Sequence, residues 1–231
     1  MLTLAHVNSY YGRSHILHDV SLKVAAGNIL ALLGRNGTGK TTLLKTLMGL
    51  TDRMEGAIHL DDHEIGTRPT FARARSGIAY VPQGREIIPD FTVRENILMG
   101  SFARADRKRV IPDIVGVLFP YLMANLKRQG GLLSGGQQQQ LAIARALAAD
   151  PKVLLLDEPT EGIQPNVVEE IEAIILRLRR ETGMTIVLVE QNVEFARNAA
   201  QSFVIFEKGR VVAAGDAADL KDDLIHRHLA V

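Results

Sequence analysis

Three short segments carry the residue types that phosphate chemistry needs. Gly34-Arg35-Asn36-Gly37-Thr38-Gly39-Lys40-Thr41, followed by Thr42, fits the spacing G-x-x-x-x-G-K-[ST]. Glycines let the backbone curl so that its N–H groups face phosphate oxygens, and a helix starting there adds its positive end. Lys40 can neutralise the outer phosphates, and the Thr41 hydroxyl can ligate Mg²⁺. The second segment, Val153-Leu154-Leu155-Leu156-Asp157-Glu158, is an apolar run ending in two acids. In a phosphate-loop fold Asp157 is placed to hold Mg²⁺ through its water shell, while Glu158 beside it polarises an attacking water. The third, Leu133-Ser134-Gly135-Gly136-Gln137, opens another helical run able to take a phosphate, but with no lysine.

These segments need elements to position them. Residues 29–33 are apolar and run into Gly34, which predicts a buried strand. Leu43, Leu44, Leu47 and Met48 repeat at helical spacing just after the loop. Residues 2–7 and 16–24 read as strands, 57–60 with Asp61-Asp62 as a hairpin arm, and 77–81 as a further strand. From 93 to about 150 the pattern is mainly helical, punctuated by Pro120 and Gly130-Gly131. Strand and helix then alternate through 153–156, 165–181, 185–189, 192–200 and 203–206. The expectation is an α/β fold of P-loop NTPase type, with a mostly parallel core sheet and a helical subdomain at about 93–150, inside a single domain of 1–231.

Composition removes several alternatives. Of 231 residues, 46% are hydrophobic and 23% charged, which excludes a disordered chain. Lys+Arg 27 against Asp+Glu 26 gives a net charge of +1, so no global field draws the chain to nucleic acid, and none is expected as a partner. The absence of cysteine excludes disulfides, thiolate metal sites and a cysteine nucleophile. The apolar stretch 114–124 holds Gly116 and Pro120 and falls short of the roughly 20 residues of a membrane helix. His6, Arg13, His15, His18, Asp19 and Lys23 leave no apolar core for a signal peptide.

The order of motifs resembles the ATP-binding subunits of ABC transporters over nearly the whole chain. Tyr11-Gly12 comes first, then the phosphate loop, Tyr80-Val81-Pro82-Gln83, Ser134 to Gln137, and Asp157-Glu158. The resemblance implies ATP and Mg²⁺, and an antiparallel β subdomain at the N-terminus. Gly34, Asn36, Gly37, Thr38, Gly39, Lys40, Thr41 and Thr42 would cradle phosphates while Tyr11 stacks on adenine. Thr41, Gln83 and Asp157 would serve the metal. Ser134, Gly135, Gly136 and Gln137 would close over the nucleotide of a second ATPase subunit, expected to be a different paralogue, with an identical subunit as the alternative. Glu158, Gln191 and Lys40 would be catalytic. Two membrane permease subunits and, indirectly, a periplasmic solute-binding protein are the remaining implied partners, with the chain peripheral on the cytoplasmic face of the inner membrane.

Two positions depart from the family. Val189-Glu190-Gln191-Asn192 has Gln191 where many members have histidine, and an amide donates without becoming a cation. Glu161-Gly162-Ile163-Gln164-Pro165 has Gln164 where an aspartate is common. That segment, residues 135–143 and residues 81–87 together look like the urea-importer branch of the branched-chain amino-acid transporter group. Urea is therefore the expected cargo, with branched-chain amino acids the alternative. A soluble ABC-type ATPase and a non-hydrolysing regulatory module are the rivals.

Other signals are set aside. His226 and His228 are two apart on a helix, and His15 and His18 are expected on opposite strand faces, so no histidine metal site is expected. Arg104, Arg107, Lys108 and Arg109 read as a solvated helix face, or else as a contact for lipid headgroups or a membrane subunit. Ile87, Ile88, Pro89 and Phe91 are expected to form part of a groove for a cytoplasmic helix of the membrane partner.

Overall fold

A computed structural model describes residues 1–229, so the last two positions of the expected 1–231 domain lie outside the described residues. The chain forms two compact units. One is Met1–Arg73 together with the segment from Thr185 onward; the other is Ala74–Met184.

The first unit opens with β1 (Leu2–Tyr11) and β2 (Ser14–Val24). β3 (Ile29–Leu33) and α1 (Lys40–Met48) follow, then β4 (Arg53–Leu60) and β5 (His63–Glu64). β1, β2, β4 and β5 make an antiparallel sheet in the order β2-β1-β4-β5. Alternation, stepped by one residue where the β1–β2 ladder shifts register, buries Leu2, Leu4, Val7, Leu17, Val20, Val24, Ile58 and Leu60. The β1–β2 ladder shifts register between the pairs Ser9↔Leu17 and Tyr10↔His15. That bulge overturns the placing of His15 and His18 on opposite faces, because their rings meet at 3.9 Å.

The second unit begins as the chain leaves α2 (Thr70–Arg75). β6 (Ile78–Val81) leads through α3 (Val93–Gly100), α4 (Asp113–Leu118), α5 (Pro120–Ala124) and α6 (Gly135–Leu147) to β7 (Val153–Asp157) and α7 (Pro165–Thr182). β6 and β7 run parallel, with Tyr80 opposite Leu155 and Val81 opposite Leu156. Every residue of β7 is buried. Thr92 with Glu95 caps α3, and Ser134 with Gln137 caps α6, each as a reciprocal capping box. A side chain at Gly136 would place its Cβ 2.2 Å from Cγ1 of Val167, so α6 and α7 approach as closely as they do only with glycine there.

The basic cluster is not a helix face. Residues 104–112 form no helix, since the Asp106 carboxylate accepts from the Lys108 backbone N–H and turns the chain, with Arg107 at φ 59. Arg104 is 10% exposed at its side chain, bonded twice to Asp106 at 2.8 and 2.7 Å and lying 3.2 Å from Asp150. Arg109 donates to the Ser101 carbonyl and lies over the Phe102 ring. Arg107, Lys108 and Arg109 are exposed, as first expected, but on an irregular segment instead of a helix.

The chain then re-enters the first unit with β8 (Thr185–Val189), α8 (Val193–Ala199), β9 (Ser202–Glu207), β10 (Arg210–Asp216) and α9 (Asp222–His228). β3 lies parallel to both β8 and β9, and β10 adds antiparallel to β9 at an edge. β3 and β8 are wholly buried, as their unbroken apolar sequences demand. β10 was not expected: Arg210 to Asp216 alternates exposed and half-buried positions and includes Ala213, Ala214 and Gly215, a weak strand signal.

Candidate active site

In the first unit the residues expected to take phosphates form one loop between β3 and α1. Gly37 and Gly39 have φ of 76° and 107°, a conformation that L side chains rarely adopt. At Gly34 a Cβ would stand 2.6 Å from the Phe206 carbonyl oxygen and 2.8 Å from Thr38 Oγ1. Thr38 Oγ1 donates to the Arg35 carbonyl at 2.9 Å, and its own carbonyl accepts from Gly209 at 2.8 Å. Lys40 is 4% exposed, and its Nζ donates to the carbonyls of Gly34 at 2.8 Å and Arg35 at 3.0 Å. An ammonium folded onto the loop's own carbonyls is positioned beside the curled backbone. Thr41 and Thr42 sit half-buried in the first turn of α1, which contains no acidic residue to oppose an incoming anion.

Two further predicted residues belong to this unit. Gln191 follows β8, and its Nε2 donates to Asn36 Oδ1 at 3.0 Å, so this amide reaches the loop through Asn36. Tyr11 is half-buried at the end of β1. Its neighbour Tyr10 stacks on His15 at 4.3 Å, with Arg53 over the ring at 3.9 Å.

The second unit carries the acids. Asp157 ends β7 at 1% exposure, and the Tyr80 hydroxyl donates to its Oδ2 at 3.0 Å. Glu158 follows in a left-handed turn with φ of 48°, immediately before Pro159. Backbone of that kind costs about 1–3 kcal/mol and persists where surrounding structure over-determines it. Here the Glu158 carbonyl accepts from the Glu161 N–H at 3.1 Å. Gln83, on the loop after β6, donates from Nε2 to Glu161 Oε2 at 2.6 Å.

Ser134 and Gln137 serve α6 itself: Gln137 N donates to Ser134 Oγ at 3.3 Å, and Ser134 N to Gln137 Oε1 at 3.0 Å. Gly135 lies against the Arg85 guanidinium, and Gly136 against Val167. Gln164 occupies the position before α7 and makes no side-chain cap. Sequence reasoning overlooked Tyr80 as the holder of Asp157, Glu161 as the partner of Gln83, and Asn36 as the partner of Gln191. Tyr80 stood in a quoted motif; its register opposite Leu155 on a parallel strand was the missing information.

Each expected metal ligand, taken by itself, is of a kind that suits a hard cation: Thr41 in the first unit offers a hydroxyl, and in the second Gln83 offers an amide oxygen and Asp157 a buried carboxylate, the oxygen donors Mg²⁺ takes. The first unit thus holds a glycine-curled loop with a buried lysine, and the second a buried aspartate followed by glutamate.

A family profile described as ABC transporter matches residues 17–161. The chain is 43% identical over 221 residues to the high-affinity branched-chain amino acid transport ATP-binding protein BraG of Pseudomonas aeruginosa, covering 95% of this chain and 94% of that one. It is 40% identical over 222 residues to the probable branched-chain amino acid transport ATP-binding protein LivF of Archaeoglobus fulgidus, at the same coverage of 95% and 94%. Among solved structures it resembles a dimeric ATP-binding cassette in a post-hydrolysis state bound to ADP and phosphate. There the TM-score is 0.78 and the identity 25%, over 94% of this chain and 99% of that one.

Proposed function

Since this chain belongs to the ABC transporter family as an ATP-binding, ATP-hydrolysing subunit, we propose that it is the motor of a membrane importer, working as one of a pair of ATPase subunits. We read it as one ATP-binding domain over 1–231, with 93–150 as its helical subdomain. Gly34 to Thr42 hold the phosphates, Lys40 neutralises the outer ones, and Tyr11 stacks on the adenine. Thr41, Gln83 and Asp157 are the residues that would hold Mg²⁺. When bound, the ion adds charge neutralisation on the β- and γ-phosphates. Glu158 polarises the attacking water, and Gln191 steadies the terminal phosphate through its amide.

The observation that carries the paired reading is that the chain has two helix starts of unequal kind. α1 begins with a buried lysine, whereas α6 begins with Ser134, Gly135 and Gly136 and carries no basic residue in its first turn. Each chain thus supplies a full clamp for one ATP and an accessory clamp for its partner's ATP. ATP binds most tightly when both clamps engage, so its binding free energy favours closure and hydrolysis permits reopening. Among the described residues no helix is long and apolar enough to cross a membrane, which fits a peripheral subunit held by two permeases on the cytoplasmic face.

For cargo, the two named relatives favour branched-chain amino acids. Urea is the second reading, carried by Glu161-Gly162-Ile163-Gln164-Pro165. The test is uptake into vesicles holding the chain with its permeases and binding protein. ATP-dependent leucine uptake supports the first cargo, and urea uptake replaces it with the second. Failure to associate with any permease contradicts the importer reading.

A further inference from the structure

The Gln83 amide meets the Glu161 carboxylate at 2.6 Å across 78 positions of sequence. A carboxylate only accepts hydrogen bonds, so the Nε2 end of the amide faces Glu161 and the Oε1 end is turned away from it. The contact therefore selects which end of Gln83 is offered to a cation or a water. Without Glu161 the amide rotates freely and can present N–H groups, which repel a cation.

The same stretch is tied down on both sides. Arg85 donates to the Gly162 carbonyl at 3.4 Å, and Arg145 of α6 donates to the carbonyls of Arg85 at 3.1 Å and Glu86 at 2.7 Å. Arg85 and Glu86 are themselves left-handed, at φ 71° and 44°. Glu161 thus bonds Gln83 through its side chain and Glu158 through its backbone N–H.

We infer that Glu161 is a positioning residue for ATP hydrolysis: its carboxylate orients the Gln83 amide and couples the loop from Gln83 to Phe91 to the turn that carries Glu158. It touches no reacting atom. The inference rests on the roles proposed above for Gln83 and Glu158. Both Gln83 and Glu161 are exposed, so their bond adds little to folding and its loss leaves the melting midpoint in place.

The test uses the full chain as Glu161→Ala, Gln83→Ala, the double variant and Glu161→Gln, with ATP hydrolysis kinetics and fluorescent-nucleotide binding measured with and without Mg²⁺. Glu161→Ala should lower kcat about 10–100-fold, the range for residues that orient a metal ligand, with KM within about threefold. Its gain in nucleotide affinity on adding Mg²⁺ should shrink. The double variant should be no slower than the slower single one, and Glu161→Gln, which keeps an acceptor oxygen, should recover most of the loss. Wild-type turnover in Glu161→Ala beside an impaired Gln83→Ala overturns the inference and leaves the role of Gln83 standing, as do single effects that multiply in the double variant. Wild-type turnover in Gln83→Ala removes the role of Gln83, and the inference with it.

Discussion

The Tyr80 phenol donates to the buried Asp157 carboxylate at 3.0 Å, though the two residues lie 77 positions apart. Parallel pairing of β6 with β7 brings them together. Tyr80→Phe keeps the ring and deletes the donor. Mg²⁺ titration of ATP hydrolysis should show apparent metal affinity or turnover lowered about 10–100-fold. Unchanged turnover at every Mg²⁺ concentration would show that this hydroxyl does not orient Asp157.

Gln191 carries an amide, which cannot become a cation, and its Nε2 is bonded to Asn36 Oδ1. The wild-type pH–rate profile should therefore lack an imidazole inflection. Gln191→His should introduce one near pH 6.5, the ordinary range of the ring. The same inflection in both proteins would contradict the placing of this residue at the terminal phosphate.

Gly136 has a packing role independent of any nucleotide. Gly136→Ala brings a methyl group to 2.2 Å from Val167 Cγ1 and should cost about 1–3 kcal/mol in urea unfolding, as overpacked sites do. Adding Val167→Ala should restore much of that loss. If it does not, the glycine is required for something other than the approach of α6 to α7.

Arg104 should behave as a structural residue. Arg104→Met should lower the melting midpoint by about 4 °C, whereas Arg107→Ala and Lys108→Ala should each shift it by under about 1 °C. The Arg104 hydrogen bond, then the Lys108 backbone N–H, hold the Asp106 carboxyl well below its usual range. A depressed folded-state value means the stabilisation is complete above the unfolded carboxylate range, near pH 4, and is lost as pH falls below it. Arg104→Met should flatten that acid limb, and an unchanged limb would show that the pair does not stabilise the fold.

Features encoded in contiguous spacing are legible in the sequence. The glycine-rich turn between β3 and α1, the acids at the end of β7 and the Ser134 start of α6 are each set within a few residues, and the apolar runs of β3, β7 and β8 announce buried strands. What stayed hidden depends on register and on distant pairing. Tyr80 with Asp157, Gln83 with Glu161 and Gln191 with Asn36 are separated by 77, 78 and 155 positions. His15 meets His18 because a bulge breaks the period of two, and Arg104 is buried because Asp106 turns the chain where a helix was expected.

Phosphate release by Glu158→Gln tests the central claim most directly, because the substitution keeps the size of the side chain and removes only its capacity to take a proton. The variant should bind ATP within about threefold of wild type and release phosphate at least about 100-fold more slowly, the usual worth of a general base. Phosphate release at the wild-type rate would remove Glu158 from the reaction and contradict the mechanism built on it.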